Sequence, residues 1–219
     1  MANITLPGTV KKAPAGLSGF DVNSRLTANQ ATSLKNAGYD FCIRYVPRME
    51  TTATNNLTHN EAVIILNAGL ALSAVQHASP EGWTPTADLG TTYGKYAATY
   101  ASETVGLPQG MNIWCDLEMV ANDTDAAAVI AYCQAWYNAV LAAGYVPGLY
   151  VGYGIKLSDQ QLYQDLSFQH YWLAYNGQDV ATRGFQLIQS DQKTVSGITL
   201  DPDRTQNDRL GDAALWLSL

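Results

Sequence analysis

Short unbroken apolar blocks alternate along this chain with longer stretches whose apolar positions recur three and four residues apart. Residues 18–22 read as a first strand, stopped by the turn-forming pair Asn23-Ser24. Residues 28–37 carry helical spacing, and Gly38 fits the position after a C-cap. Residues 41–46, Phe-Cys-Ile-Arg-Tyr-Val, read as a second strand ending at Pro47. Thr58 followed by Glu61 has the form of a capping box and opens a helix to Gly69. A third strand over 70–78 stops at Ser79-Pro80, and a helix over 89–105 stops at Gly106-Leu107-Pro108. A fourth strand, 111–117, runs into Glu118 and is followed by a long helix, 123–143, ended by Gly144. Then come a strand over 145–153 and a short helix over 158–166, with Ser158 as cap and Gln161 three residues on. Three last strands, 171–175, 185–189 and 198–200, have too little chain between them for full helices.

Eight strands result, the first five each followed by a helix, and this order specifies a parallel sheet. Strands without clean alternation are covered on both faces. The predicted fold is therefore α/β: a (β/α)8 TIM-like barrel with reduced helices in its C-terminal part. An open doubly wound sheet is the alternative, but no Gly-x-Gly-x-x-Gly follows the first strand. Pro7, Gly8, Pro14 and Gly16 mark residues 1–17 as an irregular arm, leaving 18–219 as a single domain.

Charge narrows the range of partners. In 219 residues, 12 Lys and Arg stand against 19 Asp and Glu, a net charge of −7. That balance argues against nucleic acid and against an anionic lipid surface. No apolar run reaches the ~18 residues that a membrane span needs. Cys42, Cys115 and Cys133 are widely spaced within apolar runs and read as small buried hydrophobes. No CxxC, HxH or HExxH occurs, so neither a metal nor a cofactor is expected. The first residues lack the charged and apolar regions of a Sec signal. Pattern and charge leave the oligomeric state open.

Only 14% of the residues are charged, so where the acids fall is informative. Barrel enzymes carry their chemistry where strands end and the following loops begin. Asp21 lies at the end of the first predicted strand, Asp116 and Glu118 at the fourth, and Asp201 and Asp203 at the eighth. Asp116 and Glu118 are two apart and share a face of the strand, with Cα atoms about 6.5 Å apart at ~3.3 Å per residue. In a poorly solvated bowl, repulsion and desolvation raise the pKa of one such carboxyl. A proton donor beside a charged carboxylate is what glycoside hydrolysis requires. Helix caps and salt bridges to Arg25, Arg44, Arg48 or Arg204 are the structural alternative, and Asp203 reads equally as the cap of a turn. Thirteen Tyr and five Trp against four Phe add aromatic groups with polar handles, suited to sugar faces. Trp83, Trp172 and Tyr175 are placed for such a groove. Arg44, His77, Tyr150 and Gln189 at other strand ends complete the candidate substrate-binding set.

These pieces resemble a known pattern. Gly19-Phe-Asp-Val-Asn23, Phe41-Cys-Ile-Arg-Tyr45, Ile113-Trp-Cys-Asp-Leu-Glu118, Gly144-Tyr-Val-Pro-Gly-Leu-Tyr150, Tyr171-Trp-Leu-Ala174 and Leu200-Asp-Pro-Asp203 follow one another in its order. Together they resemble the glycoside-hydrolase-like family called domain of unknown function 1906, over about residues 18 to 205. More distantly the layout is similar to the family 25 lysozyme-type muramidases. The resemblance implies a TIM-like barrel with an acidic pocket and a peptidoglycan or other glycan ligand. By likeness to the muramidases, Glu118 is the proton donor, Asp116 positions or stabilises the reacting group, and Asp21 and Asp201 support them. Two functions follow as expectations: a hydrolase of bacterial cell-wall glycan, or a glycan-binding barrel used for targeting or adhesion. Either acts in the envelope or outside the cell, reached by phage release, specialised secretion or prior cleavage of a signal.

Overall fold

The structure, a computed structural model, describes residues 4–50 and 55–219. The chain enters through β1 (Thr9–Lys12), antiparallel to the last strand, β11 (Leu215–Ser218). Where the sequence reading puts an irregular arm, residues 9–12 are thus a strand, while residues 1–3 lie outside the described residues. The partner of β1 lies at the far end of the chain, which a local pattern cannot reveal.

Seven strands run parallel in sequence order: β2 (Ser18–Val22), β3 (Phe41–Val46), β4 (Ala71–Gln76), β5 (Asn112–Leu117), β6 (Val146–Val151), β7 (His170–Leu173) and β8 (Leu187–Gln189). A short strand, β9 (Lys193–Val195), folds back onto β10 (Ile198–Thr205), which closes the barrel between β8 and β2. The result is a closed, mixed, eight-stranded barrel of the TIM-like kind. The eighth strand departs from expectation, because β10 is antiparallel to both neighbours. A parallel return needs a crossover of about a dozen residues or more, and the link between β8 and β10 is too short for one. Asp201 and Asp203 therefore lie within the closing strand rather than beyond its end. Asp201 stands opposite Asp21, and Asp203 lies deeper, opposite Gly19 and Gln189.

Helices α1 (Ala28–Asn36), α2 (His59–Asn67), α3 (Ala87–Thr99), α4 (Ala126–Ala142) and α5 (Asp159–Gln164) cover the outside. Each opens on an oxygen-bearing cap: Thr27, Thr58, Thr86, Asp125 and Ser158 accept from the backbone amide three residues on. A π-helical segment, Tyr100–Val105, extends α3 and ends at Gly106, whose φ of 83° is the left-handed stop. Gly90 and Gly94 let α4 approach α3, since a Cβ at either would stand 2.2 Å from the Tyr132 carbonyl or 2.8 Å from that of Trp136.

Alternation along the strands divides the core. Phe41, Ile43, Val75, Trp114, Trp172 and Leu187 point inward and pack with Ala13, Ala214 and Trp216. Cys42, Leu72, Ala74, Ile113, Cys115 and Leu149 point outward into the larger core beneath the helices, which also takes in Cys133. The last inward-facing positions of β2, β3, β5, β6 and β8 are Asp21, Tyr45, Asp116, Tyr150 and Gln189, and the site lies there.

Candidate active site

A cavity of about 250 Å³ opens at this end of the barrel, lined by Tyr45, Val75, Asp116, Glu118, Tyr150, Trp172, Gln189 and Asp201. Asp116 is the last inward-facing residue of β5, in register with Tyr150 on β6. Glu118 follows one residue past the strand. Three contacts fix the backbone of Glu118 and of Met119 after it. The Trp83 indole donates to the Glu118 carbonyl at 2.9 Å, the Met119 amide donates to the Tyr153 carbonyl at 2.7 Å, and the Gly82 amide donates to the Met119 carbonyl at 2.9 Å. Met119 takes a left-handed φ of 52°, an uncommon conformation for a side-chain-bearing residue. Gly152 leaves the space Glu118 occupies, because a Cβ there would stand 2.4 Å from the Glu118 Cβ.

A second pair of acids lies under the cavity. Asp21 is fully buried, and its carboxylate accepts from the Tyr45 hydroxyl and from Gln189 Nε2, both at 2.7 Å. Gln189 Oε1 in turn accepts from the Tyr150 hydroxyl at 2.9 Å. Asp203 is 4% exposed, and its Oδ1 accepts from the Trp172 indole at 2.9 Å. Tyr45 and Gln189 thus connect the cavity wall to Asp21, which itself does not line the cavity.

Burial raises every one of these acids. It takes the Asp21 carboxyl to about 7, against the pull of hydrogen bonds from Gln189 and Tyr45 and with help from Asp201. Asp116 is held well above the ordinary range by burial, then by Glu118 and Asp21, with Arg48 opposing. Burial also raises Glu118 and Asp201, while burial and Asp21 together raise Asp203 well up. No basic side chain lines the cavity to offset this. Such a site holds protons at neutral pH, while its carboxylate oxygens and phenols offer hydrogen bonds to a polyhydroxy ligand. Among the described residues no group of three or more His, Cys, Asp or Glu is arranged to hold a metal ion.

The structure brings Asp116, Glu118, Asp201, Tyr150, Trp172 and Gln189 to the cavity and takes other candidates elsewhere. Arg44 points out of the barrel, the opposite parity to Tyr45, and is fully buried. It pairs with Glu61 of α2 at 2.7 Å, and it also donates to the Val22 and Asn55 carbonyls. Its placement as a substrate ligand is corrected: the guanidinium has no free donor face toward the cavity. Trp83 is likewise corrected from sugar platform to brace, its ring edge-on to Tyr132 at 4.8 Å. His77 lies behind Tyr45, with ring centroids 4.8 Å apart, and hydrogen-bonds Asn56 at 2.9 Å. Burial and two arginines lower its pKa to about 4, so it is neutral there. Tyr175 is 63% exposed and outside the cavity lining. Tyr45, not among the predicted site residues, lines the cavity. Its signal was available, since it continues the inward parity of Phe41 and Ile43 at a strand's C-terminal end.

The closed α/β barrel is similar in fold to solved structures of lysozymes and muramidases. The bacterial lysozyme from Streptomyces coelicolor shares 15% identity at a TM-score of 0.63, covering 89% of this chain and 94% of that one. The family 25 glycosyl hydrolase from Bacillus anthracis shares 12% at a TM-score of 0.62, covering 88% and 90%. The Mycobacterium tuberculosis Tat-secreted protein Rv2525c, in complex with L-tartrate, shares 15% at a TM-score of 0.66, covering 91% and 99%. The chain itself belongs to the Rv2525c-like, glycoside hydrolase-like domain family, whose model matches residues 32–205 and whose older label is domain of unknown function 1906. No curated protein matches it in sequence. No helix among the described residues is long and apolar enough to cross a membrane.

Proposed function

We propose that the protein is a glycosidase of bacterial cell-wall glycan, working in the envelope or outside the cell, with Glu118 as general acid and Asp116 as its partner carboxyl. The observation that carries this reading is the Asp116–Glu118 pair in one cavity, each raised by burial and with no cation lining the wall. Two carboxyls so placed, both raised by burial, can share one proton, one donating it to the leaving oxygen and the other holding charge beneath the reacting carbon. Glu118, past the strand end and with the longer side chain, has the reach to donate. Asp116, one pleat deeper, is suited to hold charge. Asp21 and Asp201 support the pair, Asp21 by orienting Tyr45 and Gln189. Trp172 and Tyr150 supply a wall for a sugar ring.

One observation favours a second reading, glycan binding without turnover. Asp116 lines the cavity, but its Oδ1 is buried and has no hydrogen-bond partner. A neutral Asp116 would leave no charge beneath the reacting carbon. Incubating the protein with purified peptidoglycan separates the two readings. The first predicts release of reducing ends. Sedimentation with insoluble wall and no release of reducing ends favours the second.

A further inference from the structure

Asp203 has a chemistry that neither reading uses. It is 4% exposed, lies one inward position deeper than Asp201 on β10, and uses only one oxygen in ordinary hydrogen bonding. Oδ1 accepts from the Trp172 indole, whereas Oδ2 is buried and finds no donor. On the adjacent strand Asp201 stands opposite Asp21 and Asp203 opposite Gly19, so the neighbouring inward acid is Asp21, whose own oxygens accept from Tyr45 and Gln189. Two neighbouring carboxyls in a dry interior bond to each other only if a proton lies between them. Asp21 is saturated with donors that favour its charged form, while Asp203 has a single donor and one bare oxygen. The proton therefore belongs on Asp203.

We propose that Asp203 is a positioning residue of the cavity: as a neutral carboxylic acid it donates from Oδ2 to Asp21. This holds Asp21 as the acceptor that orients Tyr45 and Gln189. The Oδ2–H bond stays intact and no group is transferred, so the step balances as one shared proton. The groups acting on the pair are Asp201 on the same strand, Tyr45 on β3, Asp116 on β5, Tyr150 on β6 and the Cys42 thiol. Each is neutral or negative, so none favours loss of the shared proton. Burial, raising Asp203 well above the ordinary range and Asp21 to about 7, agrees with this order of ionisation. The arrangement also explains Trp172, whose indole fixes the Asp203 rotamer from the cavity wall.

The inference deepens the reading of this cavity as a glycan site, but its test needs no turnover. Infrared difference spectra of wild type and Asp203→Asn at about pH 8, above the value for Asp21, read the protonation state directly. The expected result is one protonated-carboxyl carbonyl band in wild type that Asp203→Asn removes. Asn mimics the acid, donating to Asp21 and accepting from Trp172. Its melting temperature should match wild type within about 3 °C, and its wall binding within about threefold. Asp203→Leu, which can do neither, should lose wall binding by at least about tenfold while remaining folded by circular dichroism. If that variant fails to fold, the infrared comparison alone decides. No lost carbonyl band in Asp203→Asn, with loss of an ionised-carboxylate band instead, would overturn the proposal. So would a Leu variant that binds like wild type. Absence of glycan turnover in every variant, with the carbonyl band behaving as expected, would refute the hydrolase reading and leave this one standing.

Discussion

Glu118 is held by contacts with its backbone and with the space around its Cβ, so neighbours that never touch a ligand should control it. Gly152→Ala puts a methyl where the Glu118 Cβ stands, at 2.4 Å, and beside the Leu117 carbonyl at 3.0 Å. We expect about 1–3 kcal/mol of destabilisation by denaturant unfolding, the usual cost of overpacking, and a larger loss of turnover or wall binding than the stability change accounts for. Trp83→Phe keeps most of the ring against Tyr132 but deletes the donor to the Glu118 carbonyl. It should cost about 1 kcal/mol of stability while loosening Glu118, seen as reduced wall hydrolysis in a protein that still melts cooperatively. Unchanged hydrolysis would show that the loop holds Glu118 without the indole. The acid pair was legible in the sequence because chain spacing and strand parity fix which side chains share a face. Trp83 was not, because a tryptophan in a loop after a strand can turn toward the ligand or toward the helices. Composition carries no information about that choice.

At the scale of elements, the ends of helices and the order of strands were legible, and pairings between distant segments were not. Ser158 and Gln161 form the complete reciprocal capping box their spacing suggests. Thr58 caps α2 as expected, but the Glu61 side chain turns away to Arg44 and to the Leu26 amide, a demand set by tertiary packing. The Arg44–Glu61 pair ties β3 to α2 and, through the Val22 carbonyl, to the exit of β2 just beyond Asp21. Arg44→Met leaves Glu61 buried and unpaired. We expect a loss of about 3–5 kcal/mol, or roughly 10 °C in melting temperature. The double change Arg44→Met with Glu61→Leu should recover much of that, because the uncompensated charge is gone. A single variant as stable as wild type would remove the structural role assigned to the pair. The reversed β10 escaped the sequence pattern because apolar spacing does not record direction. The shortness of the preceding link was the available signal. Strands β1, β9 and β11 are four residues or fewer and pair across turns or across the whole chain, so they leave no periodic trace.

For the whole molecule, burying several acids without a cation has a thermodynamic consequence. The Asp21 carboxyl rises from 3.8 to about 7 on folding, so between those values the native state binds more protons than the unfolded chain. Stability contributed by this group is present at low pH and falls as pH rises through that window. Melting temperature should accordingly drop by several degrees from about pH 4.5 to about pH 8, and Asp21→Asn should flatten the slope. A melting temperature that rises across that interval, with the same slope in the variant, would contradict the placement of Asp21. The same balance concentrates function at one end of the barrel: its interior is apolar below, acidic at the mouth, and without a basic group in the cavity wall. The central claim is that the Asp116–Glu118 pair cleaves cell-wall glycan, with Glu118 giving up the proton. Reducing-end release from purified peptidoglycan by wild type and by Glu118→Gln tests it most directly. The amide keeps the shape and the hydrogen bonds but has no acidic proton. Turnover by wild type, lowered by ~10²-fold or more in the variant while wall binding persists, is the predicted result. Equal turnover by the two proteins would contradict the assignment of Glu118, and no turnover by wild type would contradict the claim of hydrolysis itself.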